Sequence, residues 1–129
     1  MTGPGEVLVT GAAGFIGTAL VESLRARQVA VRALVRGAAA DAPGVRTVIV
    51  PDLPSHSDWR PVVEGVSAVV HLAGVAHRRA GALAYETGNV LATERLAAAA
   101  ARAGVRRFVF VSSAKASGES SGGRPLSED

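Results

Sequence analysis

The sequence has no cysteine, which rules out disulfides and thiolate metal sites. Aromatic residues make up only 4% of it, so it offers no stacking platform for single-stranded nucleic acid. Trp59, Tyr85 and Lys115 are each the sole residue of their type. No apolar run approaches the roughly 20 residues of a membrane-spanning helix. The first residues lack the basic-then-apolar order of a secretion signal. These absences favour the cytoplasm, and no membrane partner is expected. His56, His71 and His77 show no helical metal spacing, so no metal site is expected. The chain does have arginine, which supplies every basic residue but one and a formal charge of +3. The arginines are scattered, apart from Arg78-Arg79 and Arg106-Arg107, as on a solvated surface and not as in a nucleic-acid stripe. With 48% hydrophobic residues in 129, the chain can bury the core of one domain, residues 1–129.

Apolar runs and helical periods alternate along it. Glu6 to Thr10 reads as a strand. Ile16, Leu20 and Leu24 then recur at helical spacing, with Ala19 and Val21 widening the stripe, and Arg27 suits the helix end. Val29 to Val35 reads as a second strand. Gly37 to Gly44 reads as a loop with at most one helical turn. Val45 to Val50 forms a third strand, stopped by Pro51. Ser55 to Gly65 carries a short helix around Trp59 and Val63, with Ser55, Ser57 or Asp58 as its cap. Ala68 to Leu72 is a continuous apolar strand, as expected where both faces are covered. Ala73 to Ala84 reads as a loop, and Asn89 to Ala103 as a helix closed by Gly104. Arg107 to Ser112 is a fifth strand, beyond which residues 118–129 are mostly irregular. Strands alternating with helices imply a doubly wound parallel α/β sheet in the order 3-2-1-4-5.

The stretch between the first strand and its helix carries the chemistry. Gly11, Gly14 and Gly17 punctuate the turn. Gly11 would let the chain turn sharply, Gly14 would keep the backbone open to a pyrophosphate, and Gly17 would let the helix pack close to the strand. The helix N-terminus would add N–H groups and a positive dipole end. A purely structural turn is the alternative. The strand order gathers Gly11 to Gly17, Val35-Arg36, Asp52-Leu53, Leu72-Ala73-Gly74 and Ser112-Ser113 on one rim, where a ligand would lie.

These stretches resemble the extended short-chain dehydrogenase/reductase superfamily, in its NAD-dependent epimerase/dehydratase branch. Thr10-Gly11-Ala12-Ala13-Gly14-Phe15-Ile16-Gly17 is similar to that branch's phosphate turn. Asp52-Leu53 resembles its acidic-aliphatic pair, whose carboxylate accepts from the adenine amino group. His71-Leu72-Ala73-Gly74 resembles the cofactor-lining segment after the fourth strand. Asn89 to Thr93 resembles the start of the next helix, and Val111-Ser112-Ser113 the end of the fifth strand. The resemblance implies a Rossmann-like fold, an NAD or NADP cofactor and a nucleotide-sugar substrate. It also implies a possible homodimer in full-length relatives. Its cofactor-binding residues would be Gly11, Ala13, Gly14, Phe15, Ile16, Gly17, Arg36, Asp52, Leu53, Leu72, Ala73, Gly74, Asn89 and Ser112. Ser113 takes the catalytic Ser/Thr position, beside the sugar oxygen whose carbon gives up hydride.

The chain departs from the family in one respect. The family's Tyr-x-x-x-Lys pair, in which the lysine lowers the tyrosine pKa, does not occur in these residues. Tyr85 has Asn89 four residues on and reads as a packing or surface residue. Lys115 could approach a phosphate or be solvated, and so could Arg78 and Arg79. The chain therefore resembles the N-terminal part of such an enzyme, cut before its later strands and inactive alone. The alternative is a non-catalytic, truncated relative that binds dinucleotide or a protein partner. Val35 stands where an NAD site usually has a carboxylate; Arg36 just after that strand, with Arg32 on it, could hold the extra phosphate of NADP, and equally Arg36 could stack on adenine or face water. The Ser112 to Glu119 stretch is similar to that of bacterial members acting on UDP-N-acetylhexosamines. The uncovered edge of the fifth strand is an association hazard.

Overall fold

Side chains on a strand point alternately to its two faces, and this divides the core. In the computed structural model, residues 5–39, 41–73, 90–112 and 122–123 are described. In strand β1 (Glu6–Thr10), Val7 and Val9 face one side and Leu8 the other. On the first side, Val9 packs with Val31, Ala33 and Val35 of β2 (Val31–Val35). Leu20, Val21 and Leu24 of helix α1 (Phe15–Ala26) cover them. On the second side, Leu8 and Leu34 meet Val62 and Val63 of the short helix α2 (Arg60–Val63) and Leu96, Ala99 and Ala100 of α3 (Ala92–Arg102). Strands β3 (Val45–Ile49), β4 (Val66–His71) and β5 (Arg107–Phe110) complete a five-stranded sheet in the order β3-β2-β1-β4-β5, with every pairing parallel. The expected doubly wound, Rossmann-like architecture and its strand order are therefore present.

Several boundaries move, each for a local reason. β2 starts at Val31 and not Val29, because Gln28 adopts a positive φ of 59° and Val29 N still donates to Leu24 O at 3.0 Å. β3 ends at Ile49, and β4 runs from Val66 to His71, starting earlier because Gly65, at φ 76°, turns the chain directly into it. The helix expected over 55–65 shrinks to Arg60–Val63. Before it, the His56 ring bonds Asp58 O at 2.8 Å and stands edge-on to Trp59, and residues 56–58 lie outside the helix. Trp59, not a serine or aspartate, occupies its N-cap, and no side chain caps it. Trp59 itself is buried. α3 begins at Ala92 after a wider π turn at Val90 and Leu91, and ends on Gly104 at φ 78°. β5 stops at Phe110, two residues short.

The apolar stripe of α1 also differs from its expected membership. Ile16 is 57% exposed and Ala19 is exposed, while Gly17 is buried. The face turned to the sheet runs through Gly17, Leu20, Val21 and Leu24, so the first inward position is taken by a residue without a side chain. The segment expected to be irregular, 118–129, lies outside the described residues except for a turn at 122–123. The 73–84 loop lies outside them apart from Ala73.

Candidate functional site

In a parallel sheet wound both ways, adjacent strands whose helices depart to opposite faces leave a crevice at their carboxyl ends. Here those strands are β1, followed by α1 on one face, and β4, which precedes α3 on the other. The turn from Gly11 to Gly14 occupies that crevice. Gly11 has φ 63°, and a Cβ on it would stand 3.0 Å from Ala73 N. Gly14 N donates to Gly11 O at 3.0 Å, closing the turn. Gly17 rests on the same carbonyl, and its N-terminal turn of helix comes within contact of the strand end. Both positions need glycine, the first for its backbone and the second for its space. Gly14 itself is extended and exposed, with no side chain between the backbone and the crevice.

The N-terminus of α1 is open. Gly14 sits at its N-cap, no side chain caps it, and its first turn has no acidic residue. An α-helix leaves its first N–H groups without intrahelical partners, here those of Phe15, Ile16 and Gly17. An anion placed there meets donors and the positive end of the dipole and no repelling carboxylate. Phe15 is 96% exposed, its ring facing solvent. The site thus has the donors and the clearance that a dinucleotide's pyrophosphate requires.

The other expected residues fall on the same rim where they are described. Arg36 directly follows β2, is exposed, and makes no hydrogen bond or ion pair with any described residue. Asp52 is exposed after β3, with its carbonyl accepting from Ser55 Oγ at 3.3 Å, and Leu53 packs against the α2–α3 core. Leu72 and Ala73 follow β4, and Ser112 follows β5. Gly74, Asn89 and Ser113 lie outside the described residues, as do Tyr85, Lys115, Arg78 and Arg79.

Arg32 does not join Arg36. It is only 4% exposed and sits mid-sheet, beside Leu8 on β1 and Arg46 on β3. Its guanidinium pairs with Glu6 and donates to Val62 O at 2.8 Å and Pro61 O at 3.3 Å. It therefore ties β1 and β2 to α2, and its charge is spent far from the rim.

A buried polar chain also emerges that the motifs did not assign to the site. Thr10 Oγ1 accepts from the backbone N–H groups of Leu72 and Ala73, both at 3.0 Å. The same oxygen lies 2.6 Å from His71 Nδ1, and His71 Nε2 lies 2.9 Å from Thr93 Oγ1 on α3. The backbone groups can only donate, so the Thr10 hydroxyl proton points to Nδ1 and the imidazole carries its own proton on Nε2. His71 is fully buried, beside the rings of Phe108 and Phe110. Burial pushes its pKa down from 6.5 to about 4, so it is neutral at ordinary pH. A threonine closing an otherwise apolar strand, Val7-Leu8-Val9-Thr10, was the available sign of a buried polar contact.

A family model described as the NAD dependent epimerase/dehydratase family matches residues 7–129. The chain belongs to that family. It is 36% identical over 122 residues to the UDP-glucose 4-epimerase of Vibrio cholerae, covering 90% of this chain and 37% of that protein. It is 34% identical over 117 residues to a 3-beta-hydroxysteroid dehydrogenase of Mycolicibacterium neoaurum, covering 84% of this chain and 32% of that one. Among solved structures, MoeE5 in complex with UDP-glucuronic acid and NAD matches with a TM-score of 0.80 and 39% identity. The match covers 91% of this chain and 40% of that structure. Family membership and these matches extend to the fold. The chain spans well under half the length of these relatives.

Proposed function

We propose that the chain is the dinucleotide-binding part of a nucleotide-sugar epimerase, dehydratase or reductase. The observation that carries this reading is the uncapped N-terminus of α1 behind a turn that requires glycine at residues 11 and 17. Family membership and UDP-sugar enzymes among its relatives support the same reading. The backbone from Gly11 through Ala13, Gly14, Phe15 and Ile16 to Gly17 would receive the pyrophosphate. Asp52 would accept from the adenine amino group, with Leu53 against the base. Leu72, Ala73 and Gly74 would line the nicotinamide end, bordered by Asn89 and Ser112. When bound, the nicotinamide supplies the hydride acceptor for a sugar carbon. Ser113 would hold the oxygen on that carbon. The residues from Ser112 to Glu119 favour a UDP-N-acetylhexosamine as the sugar nucleotide.

Two finer points belong to this proposal. Arg36, exposed and unpaired among the described residues, would receive the 2′-phosphate of NADP, making the site NADP-capable. These 129 residues contain no Tyr-x-x-x-Lys, so by themselves they would bind dinucleotide weakly and turn over no sugar nucleotide. Calorimetric titration of the chain with NAD and with NADP tests both the binding and the choice. Saturable binding of either cofactor is the expected result, and none at millimolar concentration refutes the reading. Arg36→Gln should weaken NADP and spare NAD; a clear preference of the unaltered chain for NAD removes the role of Arg36. Turnover of a UDP-sugar by the chain alone would refute the inactivity.

A further inference from the structure

The Thr10–His71–Thr93 chain has a direction, and the direction gives His71 a task. A hydroxyl oxygen has two acceptor sites and one proton. At Thr10 both acceptor sites are taken, by the N–H groups of Leu72 and Ala73. The proton then needs an acceptor of its own, and His71 Nδ1 at 2.6 Å is the one provided. The two amides belong to the segment that flanks Gly11, whose missing Cβ leaves just enough room for Ala73 N. One oxygen thus ties that segment to the residue just before the phosphate turn. At its other end the imidazole reaches Thr93 on α3, across the crevice from α1.

We propose that His71 is a positioning residue of the dinucleotide site: by accepting the Thr10 hydroxyl proton, it leaves the Thr10 oxygen free to hold the Leu72 and Ala73 amides against the phosphate turn. This rests on the dinucleotide reading given above. An apolar residue at 71 would fill the space but leave the hydroxyl proton with no acceptor. A donor facing Thr10 would bring a third hydrogen to an oxygen that can accept two. The position therefore requires an acceptor toward β1 and tolerates a donor toward α3. The neutral imidazole carrying its proton on Nε2 supplies both.

Two substitutions separate the two ends of the ring. His71→Asn keeps an acceptor near the place of Nδ1 and loses the reach to Thr93. His71→Gln keeps a donor near the place of Nε2 and loses the acceptor. NAD and NADP are titrated into the chain and each variant by calorimetry, with amide hydrogen exchange at Leu72 and Ala73 and thermal melting followed on the same samples. His71→Gln should speed exchange at both amides and weaken dinucleotide binding about tenfold, the equivalent of roughly one hydrogen bond. His71→Asn should recover most of both, whatever its melting temperature. Equal losses in the two variants, in step with melting temperature, would show a packing role only and overturn the proposal. Unchanged exchange at Leu72 and Ala73 in His71→Gln would overturn it too. If neither histidine variant folds, Thr10→Val against Thr10→Ser puts the question from the other end, with faster exchange and weaker binding expected in Thr10→Val alone. If the unaltered chain binds neither dinucleotide, the functional reading fails, and the exchange rates still decide whether His71 holds the segment.

Discussion

A methyl group at residue 17 would lie 2.1 Å from the Gly11 carbonyl oxygen and 2.8 Å from the Ala12 Cα. Both neighbours are backbone, so neither can swing aside, and α1 would have to lift from the strand end. Gly17→Ala should therefore cost at least about 2 kcal/mol of stability, by the measure of overpacked cores, and should abolish dinucleotide binding. Chemical denaturation and calorimetry read the two effects. Gly14→Ala makes the contrast, since its Cβ would meet only Gly11 O, at 3.3 Å. It should fold nearly as well and lose affinity alone. His71 gives a pH dependence whose sign follows from its burial. The fold holds the neutral ring, with a pKa of about 4 against the ordinary 6.5 of a solvated histidine. Its contribution is complete above about pH 6.5 and is lost as pH falls toward 4. The loss at the acid end is about 3 kcal/mol. Urea unfolding between about pH 7 and pH 4 should show that fall, and His71→Asn should flatten it.

At the scale of elements, α2 is too short to hold itself. Its four residues carry one turn, and isolated helices of that length do not persist in water. Val62 and Val63 fasten it to the core, and Arg32 binds its carbonyls from below while pairing with Glu6. Removing the carboxylate with Glu6→Gln leaves a buried guanidinium short of a counter-charge and should cost about 3 kcal/mol. Arg46 also contacts Glu6 but is exposed, so Arg46→Gln should cost well under about 1 kcal/mol. The double variant Glu6→Gln with Arg32→Met should recover much of the first loss, because a buried pair replaced whole is often neutral. Urea midpoints of the set check all three. The ends of elements were the least legible part of the sequence. The bend of His56 over Trp59, the reach of Gln28 into the left-handed region and the π turn at Val90 are each fixed by contacts that no spacing of residues announces.

Across the whole molecule the sheet is covered unevenly from one edge to the other. α1 lies over β1 and β2, while Val109 and Val111 at the β5 edge are each 42% exposed and Phe110 is 53% exposed. An exposed apolar edge offers unpaired backbone groups beside a hydrophobic face and invites pairing with another chain. The 129-residue chain should therefore self-associate with rising concentration, as seen by sedimentation velocity. Val109→Lys should reduce that association without shifting the melting temperature much. The rim at the carboxyl ends of the strands carries Arg36 after β2, Asp52 after β3 and Ala73 after β4, and there the strand order places on one side of the sheet residues that are distant in sequence.

The sequence by itself determined the parallel, doubly wound sheet and its order, the glycine turn and the family. Those follow from local patterns: alternating strands and helices, a strand flowing into a helix through glycine, and motifs in a fixed succession. Only the tertiary structure decided which residue of α1 turns inward, where the Arg32 charge goes, and that Thr10, His71 and Thr93 form one chain. Each of these depends on the register between strands and on which helix covers which face. Arg32 reads as a rim residue by its nearness to Arg36 in sequence. Placed beside Leu8 and beneath α2, it meets carbonyls and a carboxylate, and the burial that makes those contacts strong also keeps it from the rim.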